Sequence, residues 1–276
     1  MLALWIILGV LAFLLLLELF LICPALRRHP ERKRMDGARV AHRGLHDLTE
    51  GSPENSLAAF RLAAEAGFAI ENDIHLSKDG EVVVFHDDDL KRMCGVEGKV
   101  EEKTLAELKE LRLAGTEERI PTLRECLDTI AGRVPLLIEF KSFSVKGSKE
   151  LCEKADRILS GYEGTYWVQS FFPTSMQWYK KHRPDICRGV LSSGFYGQKF
   201  PMPVVGALAF NFLSRPDFVS YDVQTPRNFF FRLAVLLGAL PVYWTIRSEE
   251  LLTKAETAYG GKTSIFENFR PQSPHR

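Results

Sequence analysis

Apolar residues fill the first 25 positions almost without a break, Glu18 being the single charged side chain among them. A helix needs roughly 20 such residues to cross a bilayer, so this stretch is long enough to span one. From Val40 onward the rhythm changes. Short runs rich in Val, Ile and Phe alternate with longer stretches whose apolar positions recur at helical spacing. The first pattern is that of buried strands, the second that of amphipathic helices.

Strands are expected around Val40, Ile70, Leu137, Trp167, Gly189, Val219, Val242 and Ile265. A further strand at Val83 turns back on its predecessor through "SKDG". Between them, "SLAAFRLAAEAG", "PTLRECLDTIAG", "SKELCEKADRILSGY", "PTSMQWYKKHRP", "NFFFRLAVLLGA" and "SEELLTKAETAYG" read as helices with polar starts and Gly or Pro stops. The charge-dense stretch from Asp87 to Arg119 reads as a solvated face around a short helix, and the segment from Phe195 to Leu213 has no clear pattern. The apolar run from Phe229 to Trp244 is interrupted by Arg232, Gly238 and Pro241, which makes it a buried helix and strand rather than a second span.

Strands alternating with helices eight times predict an α/β fold, a (β/α)8 TIM barrel with a short insertion after the second strand. Such a barrel normally takes roughly 200–250 residues. The expected organisation is a transmembrane anchor over 1–26, a basic juxtamembrane linker over 27–38 and the barrel domain over 39–276.

Charge refines this picture through its placement. The net charge of +1 gives no reason to expect a nucleic-acid partner. Arg27, Arg28, Arg32, Lys33 and Arg34 all follow the apolar segment, and no Lys or Arg precedes it. A secretory signal has its basic residues first. The positive-inside rule therefore predicts a single-pass protein of the cell membrane with its barrel in the cytoplasm, a cleaved signal being the rival reading. The five cysteines contain no C-x-x-C pair and read as reduced thiols, which fits that compartment.

In a barrel of this kind chemistry gathers at the C-terminal ends of the strands. His42 and Arg43 end the first strand. Glu71, Asp73 and His75 alternate along the second, so all three point to one face. His86 and Asp87 end the extra strand, and Glu139 and Lys141 share a face at the end of the next. Buried acids are unfavourable unless their charge is offset. Glu71, Asp73 and Glu139 on neighbouring strands point to one divalent cation bound through oxygen, Mg²⁺ or Ca²⁺ rather than zinc, the bland alternative being an ion network with Arg43 and Lys141. Two histidines flanking that mouth could serve as general base and general acid, with Arg43 holding a phosphate. Asp87 stands where it could orient His86, while His46, Asp47 and His75 read as bystanders.

The motifs "AHRG", "PENS", "IENDIHLSKDG", "VVVFHD", "IPTLRECL" and "LLIEFK", followed by the weaker "YWTIR", resemble in order those of the glycerophosphodiester phosphodiesterase family. The resemblance runs from about Val40 to the end. It implies a (β/α)8 barrel that hydrolyses glycerophosphodiesters to sn-glycerol 3-phosphate and an alcohol. By the same resemblance His42 and His86 are the acid/base pair, Arg43 the phosphate ligand, and Glu71, Asp73 and Glu139 the metal ligands. Glu54 and Lys141 match positions lining the site, and Trp244 a substrate-contacting aromatic. The implied partners are a small glycerophosphodiester or a lysophospholipid, and the membrane through the N-terminal helix.

Two departures stand out. Arg247 replaces the Asn usual after Trp-Thr-Ile, and "IFENFRP" replaces the usual Thr-Asp-x-Pro at the last strand. Both lie on the substrate side, so they bear on the alcohol group rather than on the metal. Arg247 is expected either to contact an anionic substrate or to pair with Glu249 or Glu250. A lysophospholipase D using the same residues, helped by the Phe-rich segment near Phe195–Phe231, is the second enzyme reading, and a barrel that binds phosphodiesters without cleaving them is the third.

Overall fold

The computed structural model describes residues 1–142, 144–195 and 202–275. Eight parallel strands close into a barrel: β1 (Arg39–Ala41), β2 (Ala69–Leu76), β4 (Leu136–Phe140), β5 (Tyr166–Ser170), β6 (Arg188–Ser192), β7 (Phe218–Asp222), β8 (Leu240–Ile246) and β9 (Thr263–Phe266). Closure is made by β1, which pairs with β2 on one side and β9 on the other. The extra strand, β3 (Val82–Val84), runs antiparallel to β2 with His75 opposite Val83, the expected hairpin.

Helix α1 (Leu2–Ile22) and the short α2 (Arg32–Met35) precede the barrel. Around it lie α3 (Leu57–Glu65), α6 (Leu123–Ile130), α7 (Val145–Leu159), α8 (Pro173–His182), α11 (Phe229–Leu236) and α12 (Glu249–Ala258). Their starts are chemically defined. Ser56, Thr122, Ser144, Asn228 and Ser248 each accept a hydrogen bond from a first-turn amide, and Pro173 opens α8 without needing one. The run from Phe229 to Trp244 is divided between α11 and β8 as expected, but α11 is not the buried helix foreseen: Phe231 and Ala234 face the core while Phe229 and Leu236 stand exposed.

The insertion is more than a solvated face. It carries α4 (Lys91–Cys94) and α5 (Leu105–Lys109) and buries a small core of its own, including Phe85, Leu90, Val100, Leu108 and Ile120. Its apolar positions were hidden in the sequence by the charges between them. The patternless segment resolves, within its described part, into α9 (Met202–Gly206) and α10 (Asn211–Ser214); the expectation for residues 196–201 lies outside the described residues.

Strand parity sorts the barrel interior into two layers. Ala69, Leu137, Trp167, Phe218 and Val242 form an apolar plug, and Met35 of α2 seals it from the N-terminal side. One pleat further along the same faces come Glu71 and Asp73, Glu139, Gln169 and Ser220, all buried. Ser220 donates to the Gln169 amide oxygen at 2.7 Å, so the polar layer holds itself together on that side. The apolar layer keeps water out from below, and the polar layer faces the mouth.

Candidate active site

The first wall is set by a backbone turn. Arg43 and Gly44 both have positive φ, 55° and 84°. A Cβ on Gly44 would stand 2.9 Å from the backbone and side chain of Ala59, so only glycine lets the loop press against α3. Gly44→Ala is expected to lower stability by about 1–3 kcal/mol, read as a fall in melting temperature. The turn aims the Arg43 amide at Glu71 Oε2, 3.0 Å away, and carries its guanidinium to Glu54 at 2.8 Å and towards Asp73 at 3.6 Å.

Behind Arg43 lies a buried carboxylate cluster. Glu71, Asp73 and Glu139 each offer an oxygen within 4.8 Å of the others. Lys141 spans two of them, 3.1 Å from Asp73 and 2.6 Å from Glu139. Asn55 donates to the other Asp73 oxygen at 2.9 Å. These contacts divide the acids. Burial opposes ionisation of Asp73, yet Lys141, His86 and Arg43 hold its carboxyl well below the usual range. Glu71 is pushed well above its ordinary value by burial and by the two neighbouring carboxylates. Glu139 is also raised, chiefly by burial. Three acids face two cations, so the cluster is one positive charge short even before a divalent ion is considered. All donors are hard oxygens, which suits Mg²⁺ or Ca²⁺. The residues fit such an ion, with Glu71 the ligand that would profit most from its charge.

The two histidines are held alike. His42 Nδ1 lies 2.5 Å from Glu267 Oε2, and Glu267 is itself bonded by Arg247 Nε at 2.7 Å. His86 Nδ1 lies 2.6 Å from Asp87 Oδ1, and Asp87 is bonded by Arg92 Nε at 2.6 Å. In each case a carboxylate occupies Nδ1 and an arginine fixes the carboxylate, leaving Nε2 for exchange of a proton. Burial lowers the pKa of His42. Burial resists ionisation of Glu267, but His42 and Arg247 pull it down to about 2, so it stays a carboxylate. Arg92 also grips Glu54, linking the His86 side to the Arg43 side. Buried His75, its pKa lowered to about 4 by burial, donates from Nε2 to the His86 carbonyl at 3.3 Å. Asp47 accepts from Thr49 and merely caps a turn.

Arg43, Glu54, Glu71, Asp73, Glu139 and Lys141 thus form one contact network, with His42 and His86 beside it. Trp244 stands across the mouth, edge-on to Phe171 with ring centroids 5.7 Å apart. Lys141 bridges Asp73 and Glu139 and also lines the cavity beside them. Arg247 pairs with Glu267 and not with Glu249 or Glu250 as expected, because β8 and β9 are neighbours in the barrel although 20 residues separate the pair. The two departures from the family pattern are therefore one paired feature. Asn55, Arg92 and Glu267 were absent from the sequence-predicted set. Glu267 directly follows β9, so the strand-end rule that picked out His42 would also have pointed to it.

Residues 42–257 match the sequence profile of the glycerophosphoryl diester phosphodiesterase family. The chain belongs to that family. A glycerophosphodiester phosphodiesterase of Caldanaerobacter subterraneus is 38% identical over 164 residues, which cover 55% of this chain and 65% of that one. The chain thus spans just under two thirds of that relative's length. A phosphodiesterase of Oleispira antarctica, solved with the product sn-glycerol-3-phosphate, superposes with a TM-score of 0.71 at 25% identity, covering 85% of this chain and 94% of that one. The glycerophosphodiester phosphodiesterase of Thermotoga maritima gives 0.63 at 26% identity over 83% and 94%.

Proposed function

We propose that this family member hydrolyses glycerophosphodiesters to sn-glycerol 3-phosphate and an alcohol, using His42 and His86 as the acid/base pair and Glu71, Asp73 and Glu139 to hold one Mg²⁺ or Ca²⁺. The observation that carries this reading is the pair of imidazoles with carboxylate-held Nδ1 atoms beside a buried oxygen cluster and Arg43. A bound cation would supply charge neutralisation at the phosphate. Arg43 orients the phosphodiester, and its ties to Glu54 and Asp73 keep it aimed. Neutral His42 accepts a proton at Nε2 from the attacking water. The attacking oxygen bonds to phosphorus, the bond to the alcohol breaks, and His86 delivers a proton from its Nε2 to the departing oxygen. Trp244 walls the mouth on the alcohol side.

Helix α1 is long and apolar enough to span a bilayer, with mean hydropathy 2.8. In our reading it anchors the enzyme, with residues 27–38 at the lipid surface and the barrel over 39–276 in the cytoplasm. A C-terminal reporter active only outside the cytoplasm would overturn that orientation.

The chemistry is tested with the full chain in vesicles, following choline release from glycerophosphocholine with Mg²⁺ or Ca²⁺. Excess EDTA is expected to abolish turnover and added cation to restore it; turnover persisting in EDTA sinks the proposal. Glu267→Gln is expected to lower kcat/KM by about 10-fold to 100-fold, the usual scale for losing the partner that orients a functional imidazole. Because Glu267 raises the pKa of His42, the acidic limb of kcat/KM should also move to lower pH in this variant.

A further inference from the structure

Helix α11 is apolar on two opposite faces. Phe231 and Ala234 point into the core, where the Phe231 ring stacks on Tyr221 with centroids 4.3 Å apart. Phe229, Arg232, Leu233 and Leu236 fall at i, i+3, i+4 and i+7, the spacing of a single outward stripe. Phe229 is 67% exposed and Leu236 82%, so the stripe meets solvent rather than protein. A helix that is apolar all round belongs inside a protein or against lipid. Beyond Met1 and α1, the other large apolar side chains so exposed among the described residues are Leu26, Leu48 and Val145, which stand singly. Charge sets the α11 flank apart as well. Residues 186–248, which build β6 to β8 with α9, α10 and α11 between them, hold two acids, Asp217 and Asp222, of the 35 in the chain. Asp217 is buried and accepts the Arg188 amide at 3.1 Å, and Asp222 is half-buried. Arg227 and Arg232 stand exposed on either side of Phe229.

The same flank holds the root of α1. Ile22 is fully buried, and Asn211 of α10 donates its side-chain amide to the Ile22 carbonyl at 3.0 Å. Arg215 donates to the carbonyls of Phe20 and Cys23 at 2.7 and 2.9 Å, and the Ala25 amide donates to the Pro216 carbonyl at 3.0 Å. These bonds satisfy carbonyls that a helix end leaves without partners, so α1 is fastened to the barrel rather than hung from a loose linker. Tyr221 of β7, stacked on α11, donates its hydroxyl to the Gly206 carbonyl of α9 at 3.3 Å. The segment that grips α1 and the helix that bears the apolar stripe therefore flank one strand. A membrane-crossing α1 rooted there brings the bilayer surface to this side of the barrel.

We propose that the outward stripe of α11 is a second membrane contact, a docking surface for a bilayer that carries anionic phospholipid. This rests on the reading of α1 as a membrane anchor. Phe229, Leu233 and Leu236 lie at the boundary between headgroups and acyl chains, and Arg227 and Arg232 lie on lipid phosphates. A second copy of the chain fits the stripe less well. A twofold pairing sets the same patch against itself, and so arginine against arginine. An anionic bilayer meets both the apolar and the cationic character at once. Two contacts, α1 and α11, also fix the attitude of the barrel, which a single helix would leave free to tilt over the lipid surface.

The test uses the full chain in phosphatidylcholine vesicles with and without phosphatidylglycerol, their acyl chains brominated to quench nearby indoles. Tryptophan is introduced by Phe229→Trp, by Leu236→Trp and, as a control, by Val145→Trp on α7, where the side chain is 66% exposed. With phosphatidylglycerol present, bromination should lower the emission added at 229 and at 236 by about twofold or more, because the stripe reaches the acyl boundary. The emission added at 145 should hold. Arg227→Gln combined with Arg232→Gln should bring the quenching back to its level in phosphatidylcholine alone; quenching that this variant leaves unchanged removes the anionic lipid from the proposal. Trp5 of α1 is the internal reference, its share obtained from Trp5→Phe. Quenching of Trp5 with none at 229 or 236 overturns the docking and leaves the anchor intact. No quenching at any of the three removes both. Equal quenching at 145 shows unselective sinking, and emission at 229 that moves to the blue with protein concentration but is not quenched shows a second copy on the stripe. Either result overturns the lipid contact.

Discussion

His42→Ala is expected to lower kcat for glycerophosphocholine by about 10²-fold to 10⁴-fold, the range for loss of a general acid or base. The expectation follows from how the imidazole is held. Burial lowers its pKa, so the ring is neutral at pH 7 and able to accept a proton. Glu267 takes Nδ1 and leaves Nε2 as the nitrogen that would accept the proton in the proposed reaction. His86→Ala should cost a similar factor, but its loss should be smaller for diesters whose alcohol is a good leaving group, because such an alcohol needs less help from an acid. A nitrophenyl diester is the suitable probe. His42→Ala should show no such relief. If both variants lose activity equally on every diester, the division of labour between the histidines is wrong even if both are required.

The barrel was legible because its signal is local and repeated. Each strand shows an apolar run and each helix a periodic face, and parity along β2 and β4 places Glu71, Asp73 and Glu139 on one side without any tertiary knowledge. The same holds for His42, which directly follows β1, and for His86, two residues past β3. What escaped was pairwise and long-range. Arg92 lies on a four-residue helix with no strand end to mark it, and its partners Asp87 and Glu54 are 5 and 38 residues away. Arg247 was left between an anionic substrate and the neighbouring Glu249 or Glu250, since a sequence shows only local partners, whereas strand adjacency delivers Glu267. Asn55 stood in the motif "PENS" with no role assigned to it, but its amide is spent on Asp73. The residues that carry charge into the site were readable; those that hold them at the right angle were written in the topology.

That distinction sharpens the expectation for Glu71→Gln, in which activity and stability move in different directions. In the metal-free protein Glu71 is an acid whose pKa folding raises well above its ordinary 4.5 through burial and repulsion by Asp73 and Glu139. A raised carboxyl pKa means that the folded state keeps a proton the unfolded chain has released. Its contribution to stability is thus lost as pH rises above about 4.5 towards the folded value. Glutamine keeps the shape and the oxygen that accepts the Arg43 amide, and has nothing to ionise. In EDTA at pH 7 the variant should melt no lower than the wild type, and the gap between them should close as pH falls towards 4.5. With Mg²⁺ or Ca²⁺ the order reverses. A cation at one hundred times its dissociation constant stabilises the folded wild type by about 2.7 kcal/mol, and the variant should lose most of that gain. Its kcat should fall by about 10²-fold or more, since the cation it no longer holds well neutralises phosphate charge. Should Glu71→Gln melt lower than the wild type in EDTA and still gain fully from the cation, Glu71 would be part of a structural ion network and the metal site would have to be sought elsewhere.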